Sequence, residues 1–266
     1  MDSGNSEPAG KPPGVVLLGG PHPSTWIVYN ALKGEVPVHA VIVEGEDPTW
    51  MFLKRRARRL GWSKVLGQVA FQSTITPWLK WRSRRRLREI CSAYSLDDSP
   101  PRGDVVRYVD SMNSDTVIAL LRDWQPRVAV INATRILSKR LLASVPAVFI
   151  NNHAGITPLF RGVHGGYWAL ATGQPHNFGV TVHIVDPGID TGGILAQARV
   201  TPTVQDNFVT YPHLQLAAGL PLLREAVRGA LENRLSTIPP PPGPSKLWSH
   251  PTLWEYLEAR VRRGVR

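Results

Sequence analysis

The amino-acid sequence predicts an α/β fold: a Rossmann-like, mostly parallel sheet flanked by helices, with a basic helical insertion and a short C-terminal appendage. Three observations point there. Short apolar runs alternate with stretches of helical periodicity, the pattern of β-α-β units and parallel pairing. The first run, Val15-Val16-Leu17-Leu18, breaks at Gly19-Gly20 and leads through a helical stretch to a second run at 38–43. The 266 residues are 42% hydrophobic and 19% charged, which supplies one main core and excludes a wholly disordered or fibrous chain.

Each element follows in order. Residues 1–14 are polar with Gly and Pro, lack the apolar stretch of a signal peptide, and read as a loose tail. Residues 15–200 are expected to form the main domain. After the strand at 15–18, Ser24 is placed to cap a helix through Leu32, since a hydroxyl can satisfy a free N–H of the first turn. The strand at 38–43 comes next, and then the alternation breaks. Between 51 and 104, Trp, Leu and Val recur among arginines at roughly helical spacing, which predicts one to three inserted helices closed by the loop SLDDSPPRGD. The sheet resumes at 105–109. Ser114 or Asp115 caps a helix that Pro126 ends, 128–131 is a central strand, and Arg135 to Ser138 lead into a short helix. A strand at 148–150 places Asn151 at its carboxyl end, where open α/β sheets bind ligands. A Gly-rich passage with a core helix around Tyr167 and Trp168 precedes strands at 179–185 and 195–200, joined by the turn-rich loop 186–193. Residues 201–236 hold an amphipathic helix, and 237–266 a Pro-rich linker with a last helix near 252–263.

Charge is unevenly spread. The formal net charge is +11, and the window 51–90 alone carries twelve Lys or Arg against one acid, Glu89, so the rest balances. Three roles suit this segment: binding an anionic acceptor or nucleotide diphosphate, lying on an anionic membrane surface through Trp50, Trp62, Trp78 and Trp81, or a solvated helical face whose Trp side chains pack on the sheet. No nucleic-acid module is recognisable, so no specific nucleic acid is expected. The single cysteine, Cys91, excludes an internal disulfide and a Cys-based zinc site. With no early apolar run near the ~20 residues of a membrane span, a cytoplasmic location is expected, with the inner membrane face as a peripheral address.

Two clusters carry chemistry. Asn151-Asn152-His153 follow a strand and precede Pro158, Arg161 and Gly162; His183 is followed seven residues on by Asp190 among Gly188, Gly192 and Gly193. An amide can donate to a growing oxyanion, an imidazole can move protons near neutrality, and a carboxylate can set the imidazole's protonation. Turn-forming Asn and Asp and a satisfied structural His account for the same residues equally well.

The spacing resembles the folate-dependent formyltransferases, a family that includes glycinamide ribonucleotide, methionyl-tRNA and sugar N-formyltransferases. Its N-x-H motif with a following Leu-Pro and Gly reads here NNHAGITPLFRG, and its His strand with an Asp beside Gly-Gly reads GVTVHIVDPGIDTGG. The resemblance is good over 105–197 and loose over the first β-α-β. It implies Asn151, His153 and Asp190 as catalytic residues, with His183 as the second histidine of the motif. It also implies N10-formyltetrahydrofolate as co-substrate, its pterin beside Arg135, Ile136 and Leu137 and beside Val185, Asp186 and Gly188, and no metal.

Departures narrow the acceptor. Thr157-Pro158 replaces Leu-Pro, and Pro21 and Pro23 remove two N–H donors from the turn where the ribonucleotide enzyme holds phosphate. The stretch after the Pro run is too short for the C-terminal barrel of the tRNA enzyme. The expected acceptor is therefore a small primary amine, foremost an amino sugar on a nucleotide carrier. An amino acid or peptide amine, hydrolysis of the formyl donor, and a non-catalytic folate-fold binder are the alternatives. His22 and His164, with His183, are the candidate acceptor contacts. Self-association stays open.

Overall fold

A computed structural model describes residues 14–45, 49–101, 103 and 105–266, with the backbone alone for residues 49, 51, 52 and 55. The expected tail falls almost wholly outside the described residues.

Seven strands form one sheet in the order β3-β2-β1-β4-β5-β7-β8. They are β1 (Val15–Gly19), β2 (Val38–Glu44), β3 (Val106–Val109), β4 (Val128–Asn132), β5 (Val148–His153), β7 (Gly179–Ile184) and β8 (Ile194–Arg199). Pairing is parallel from β3 to β5 and antiparallel from β5 to β7 and β8. The order reverses between β1 and β4, so the carboxyl ends of these strands open on a crevice of the kind that binds ligands.

The alternation of strand side chains makes two cores. Val15, Leu17, Val41, Val130, Ile150 and Val182 face α1 (Pro23–Leu32) and α7 (Tyr211–Leu231). Val16, Leu18, Ile42, Ala129, Ile131 and Phe149 face α4 (Asp115–Trp124) and α5 (Lys139–Leu142). Helix α1 starts two residues earlier than a Ser24 cap would give, so that cap is corrected. His22 is its N-cap without a side-chain bond, and Pro23 supplies the helical φ at a position where no N–H is needed. Ser114 caps α4 as expected, its hydroxyl accepting from Val117 N. Helix α7 is not a surface element: Leu216, Leu220, Leu223 and Val227 bury it against the sheet.

The insertion is two helices, α2 (Thr49–Leu60) and the 32-residue α3 (Trp62–Ala93), which runs through Pro77. One face of α3 buries Phe71 and Leu79 in a third core with Phe160, Tyr167, Phe208 and Tyr256. Arg86 turns inward too, gripping the buried Asp206 through Nε–Oδ1 (2.8 Å) and Nη2–Oδ2 (3.2 Å). The expectation that the insertion's tryptophans pack on the sheet is corrected: Trp50, Trp62, Trp78 and Trp81 are all exposed.

The C-terminal stretch is woven into this core instead of standing apart. β9 (Leu247–Trp248) pairs in parallel with β6 (Arg161–Gly162), and α8 (Leu253–Arg263) buries Tyr256 and Ala259 against α3 and α6 (Gly165–Ala171). Thr252 and Glu255 close a capping box on α8. His250, just before it, lies 3.0 Å from His164 (Nδ1 to Nε2), and the Gln68 side chain donates to its carbonyl.

Burial, with Arg56 nearby, pulls His250 down to about 4, and burial beside His250 holds His164 well below 6.5. The folded chain thus keeps both rings neutral where the unfolded chain protonates them. Stability is complete above pH 6.5 and declines as pH falls towards 4, by about 1.4 kcal/mol per pH unit for each ring. Thermal unfolding from pH 7.5 downward should show this slope, and His250→Gln should flatten part of it. A wild-type profile flat to pH 4.5 contradicts the assignment.

Candidate active site

The antiparallel register of β5 and β7 builds the site. Asn151 pairs with His183 and His153 with Thr181, so Asn151, His153 and His183 project from one sheet face. β5 continues to His153, so Asn151 lies within the strand and not at its end, a correction to the sequence expectation. The antiparallel partner β7 holds those last residues in the ladder. Asn152 faces the other way, against Gly219 of α7.

Asp190 reaches the same point from the loop after β7. Its Oδ2 lies 3.5 Å from His153 Nδ1 and its Oδ1 3.6 Å from His183 Nε2. The Gly162 N–H donates to Oδ2 at 2.7 Å. Arg161 Nη1 donates to the Ile189 carbonyl at 3.1 Å, and the Asp186 carboxylate accepts from Gly188 N and Thr191 Oγ1. The loop is therefore held at three points.

Hydrogen bonds orient the imidazoles. His183 Nδ1 donates to the Ile184 carbonyl (2.8 Å), leaving Nε2 to accept from Asn151 Nδ2 (3.3 Å) in the neutral ring. His153 Nε2 donates to the Phe160 carbonyl (2.7 Å), so its Nδ1 is the nitrogen offered to Asp190. Burial lowers His153 from its ordinary 6.5, against the opposing pull of Asp190 and the Phe160 carbonyl. Burial works against the Asp190 anion, but His153, His183 and the Gly162 N–H outweigh it and hold the carboxyl at about 2. At neutral pH the site is an anion beside two rings of fixed orientation.

The expected folate side is close by. Leu137 and Val185 pack into the same core, Ile136 is 59% exposed, and Asn113 pins the turn by donating to the Ile136 carbonyl (3.0 Å) and accepting from Ser138 N (2.7 Å). The Arg135 side chain serves the scaffold: it pairs with the buried Glu44 at 2.9 Å and donates to the Gly45 and Asp110 carbonyls. This leaves the backbone groups of 135–137 as the part of the turn that the resemblance sets beside the pterin. His164 is half-buried, its ring packed on Phe208 and within 3.0 Å of His250. His22 is exposed at the end of β1, two strands from β5. Sequence reasoning named Gly162 only as a residue after the N-x-H motif, and missed its N–H, Phe160 and Glu44. The first two act through backbone atoms that leave no residue signature, and Glu44 reads as an ordinary strand end. Among the described residues no cluster of His, Cys, Asp and Glu suits a metal ion.

Along β9, the strand paired with β6, lies a cleft of about 450 Å³, lined by Arg59, Lys64, Lys246, Trp168, Trp248 and Glu255.

A family profile described as formyl transferase matches residues 15–213. The chain belongs to the formyl transferase family. The methionyl-tRNA formyltransferase of Myxococcus xanthus is 36% identical over 123 residues, which are 46% of this chain and 39% of that protein. The chain thus spans about two fifths of the curated relative it matches. Among solved structures, phosphoribosylglycinamide formyltransferase from Streptococcus pneumoniae superposes with a TM-score of 0.53 at 19% identity, covering 81% of this chain and 98% of that one. The N-formyltransferase from Helicobacter canadensis, solved with folinic acid and dTDP-3-aminofucose, gives 0.52 at 13% identity, covering 88% and 70%. At these identities the structural likeness establishes the fold alone.

Two outcomes follow from the geometry. NMR titration should find His153 titrating below 6.5, and Asp190→Asn should move it lower still, since the carboxylate is the main group raising it; an upward move contradicts this arrangement. Gly162 has φ 91°, and a Cβ there would lie 2.2 Å from the Trp248 carbonyl. Gly162→Ala is therefore expected to lower stability by about 1–3 kcal/mol, read by denaturant unfolding.

Proposed function

We propose that this chain transfers a formyl group from N10-formyltetrahydrofolate to a primary amine, foremost an amino sugar on a nucleotide carrier. The observation that carries the reading is the convergence of Asn151 and His153 of β5, His183 of β7 and Asp190. The Asn151 amide has a second N–H beyond the one given to His183, and this N–H holds the formyl oxygen as negative charge grows on it. The Asp190 carboxylate, ionised at neutral pH, takes the proton that the attacking amine must lose. His153 Nδ1 faces that carboxylate, and its Nε2 stays on the Phe160 carbonyl, so the ring orients Asp190 and shares its proton. The new C–N bond forms on the acceptor, the bond to the folate nitrogen breaks, and the proton passes to that nitrogen. The exposed Ile136 and the neighbouring Val185, beside backbone groups of a pinned turn, suit the flat face and polar edge of a pteridine.

The nucleotide part of the proposal rests on the cleft along β9. Arg59, Lys64 and Lys246 supply cations for a diphosphate, and Trp248 an aromatic wall for a base, with β6 joining it to Asp190. Methionyl-tRNA is the rival acceptor, because the curated relatives carry that name.

The test offers formyltetrahydrofolate with a panel of amines (nucleotide-linked amino sugars, amino acids, a peptide and methionyl-tRNA) and follows tetrahydrofolate release. Turnover with a nucleotide amino sugar is expected, with none in the absence of amine. Asn151→Ala and Asp190→Ala should each lose about 10²–10³ in rate with unchanged thermal unfolding. Near-normal rates in both variants reject the catalytic assignment. Release without amine makes the chain a hydrolase, and folate binding without any turnover makes it a binder. Preference for methionyl-tRNA replaces the sugar.

A further inference from the structure

The exposed face of α3 is divided along its length. Trp62, Leu66, Val69 and, further on, Trp81, Arg84 and Arg88 recur at three- and four-residue spacing, opposite the buried Phe71, Leu79 and Ile90. The first half of this face is apolar, with Leu66 62% exposed, and the second half basic. Helix α8 extends the apolar half sideways. The Trp254 ring lies directly on Gly67, where a Cβ would sit 2.1 Å from it, and Trp254, Leu257 and Val261 form an outward stripe in which Val261 is 84% exposed. Basic side chains lie on the same helices and on α2: Lys54, Arg58 and Arg59 on α2, Arg82 on α3 and Arg260 on α8 are exposed, as are Arg85 and Arg262, which pair with Glu89 and Glu258. The acids nearby are spoken for, Glu255 by Lys64, Glu258 by Arg262, and Glu89 by Arg85.

We infer that the α3–α8 face docks on an anionic lipid surface, with Trp62, Leu66, Val69, Trp254, Leu257 and Val261 entering the interface and these arginines and lysines lying at the headgroups. The occupant is chosen by what the patch contains. An apolar strip of this extent, exposed to water, marks an interaction surface. An RNA duplex presents phosphates and sugar hydroxyls, which give Leu66, Val69, Leu257 and Val261 nothing to bind. A second copy meeting this face across a two-fold axis would set Arg58, Arg59 and Arg262 against their own kind. A bilayer carrying acidic lipids satisfies both halves at once: tryptophan and aliphatic side chains enter the interfacial zone, and each cation gains from the negative surface. No described helix is long and apolar enough to cross a membrane, so the contact is with the surface.

The inference does not depend on the formyl-transfer reading. Its test is co-sedimentation of the full chain with phosphatidylcholine vesicles, with and without phosphatidylglycerol, at physiological salt. Binding is expected with the acidic lipid and not with phosphatidylcholine alone. Leu66→Asp and Val261→Asp, on separate helices and checked by thermal unfolding, should each weaken it about tenfold. Arg58→Glu and Arg84→Glu should weaken it by about fivefold or more each. Absence of binding to acidic vesicles overturns the proposal. So does binding that the two apolar variants leave intact, which would mark mere polycation attraction. Vesicles ignored while RNA is bound, or while the chain dimerises through Leu66, also overturn it.

Discussion

The hydrogen bond from the Gly162 N–H to Asp190, with the neighbouring bond from Arg161 to the Ile189 carbonyl, joins parts of the chain far apart in sequence. Asp190 sits in a loop with φ 51°, and the loop returns it to the two histidines only because Arg161, Gly162 and Asp186 fasten it. Gly162 in turn is placed by β9, which crosses so closely that a side chain at 162 is excluded. Trp248 of β9 stacks on Trp168 at 4.5 Å and near Phe160 at 6.1 Å, and the Phe160 carbonyl orients His153. The last strand of the chain therefore holds both the carboxylate and its histidine partner in position.

Buried charge in this molecule follows one rule: each deep carboxylate is surrounded by donors. Glu44 accepts from Met112 N, Arg135 N and the Arg135 guanidinium, and so ties the ends of β2 and β4 together at the mouth of the crevice. Asp206 is met by Arg86 and by Thr203. An ion removed from water without such partners is costly to keep, so these groups fix geometry as well as charge. The same rule sorts the basic insertion. Arg86 is drawn inward by a waiting carboxylate, and the other exposed cations of α3 face solvent, where their number matters more than their individual partners. One helix thereby serves as both a wall of the core and a charged surface.

Much of the sheet was legible from the residues. Runs such as Val15–Gly19 and Val128–Asn132 are apolar throughout because both faces of a central parallel strand are covered. The N-x-H and Asp-Gly-Gly spacings likewise picked out the four polar side chains that meet, because a strand's two-residue period puts Asn151 and His153 on one face whatever else happens. His164 was harder to place, for the opposite reason. A histidine in a Gly-rich loop has no local periodicity to say which way it points, and its packing on Phe208 beside His250 decided the matter. Residue identity alone thus determined the strands of the main sheet, the cap at Ser114, and the polar groups available for chemistry. Tertiary structure alone decided that β7 runs antiparallel to β5, that the C-terminal strand braces Gly162, and that one face of α3 is core while the other stays exposed. Those outcomes depend on contacts between residues far apart in the chain, and a local pattern carries no information about a partner it has not yet met.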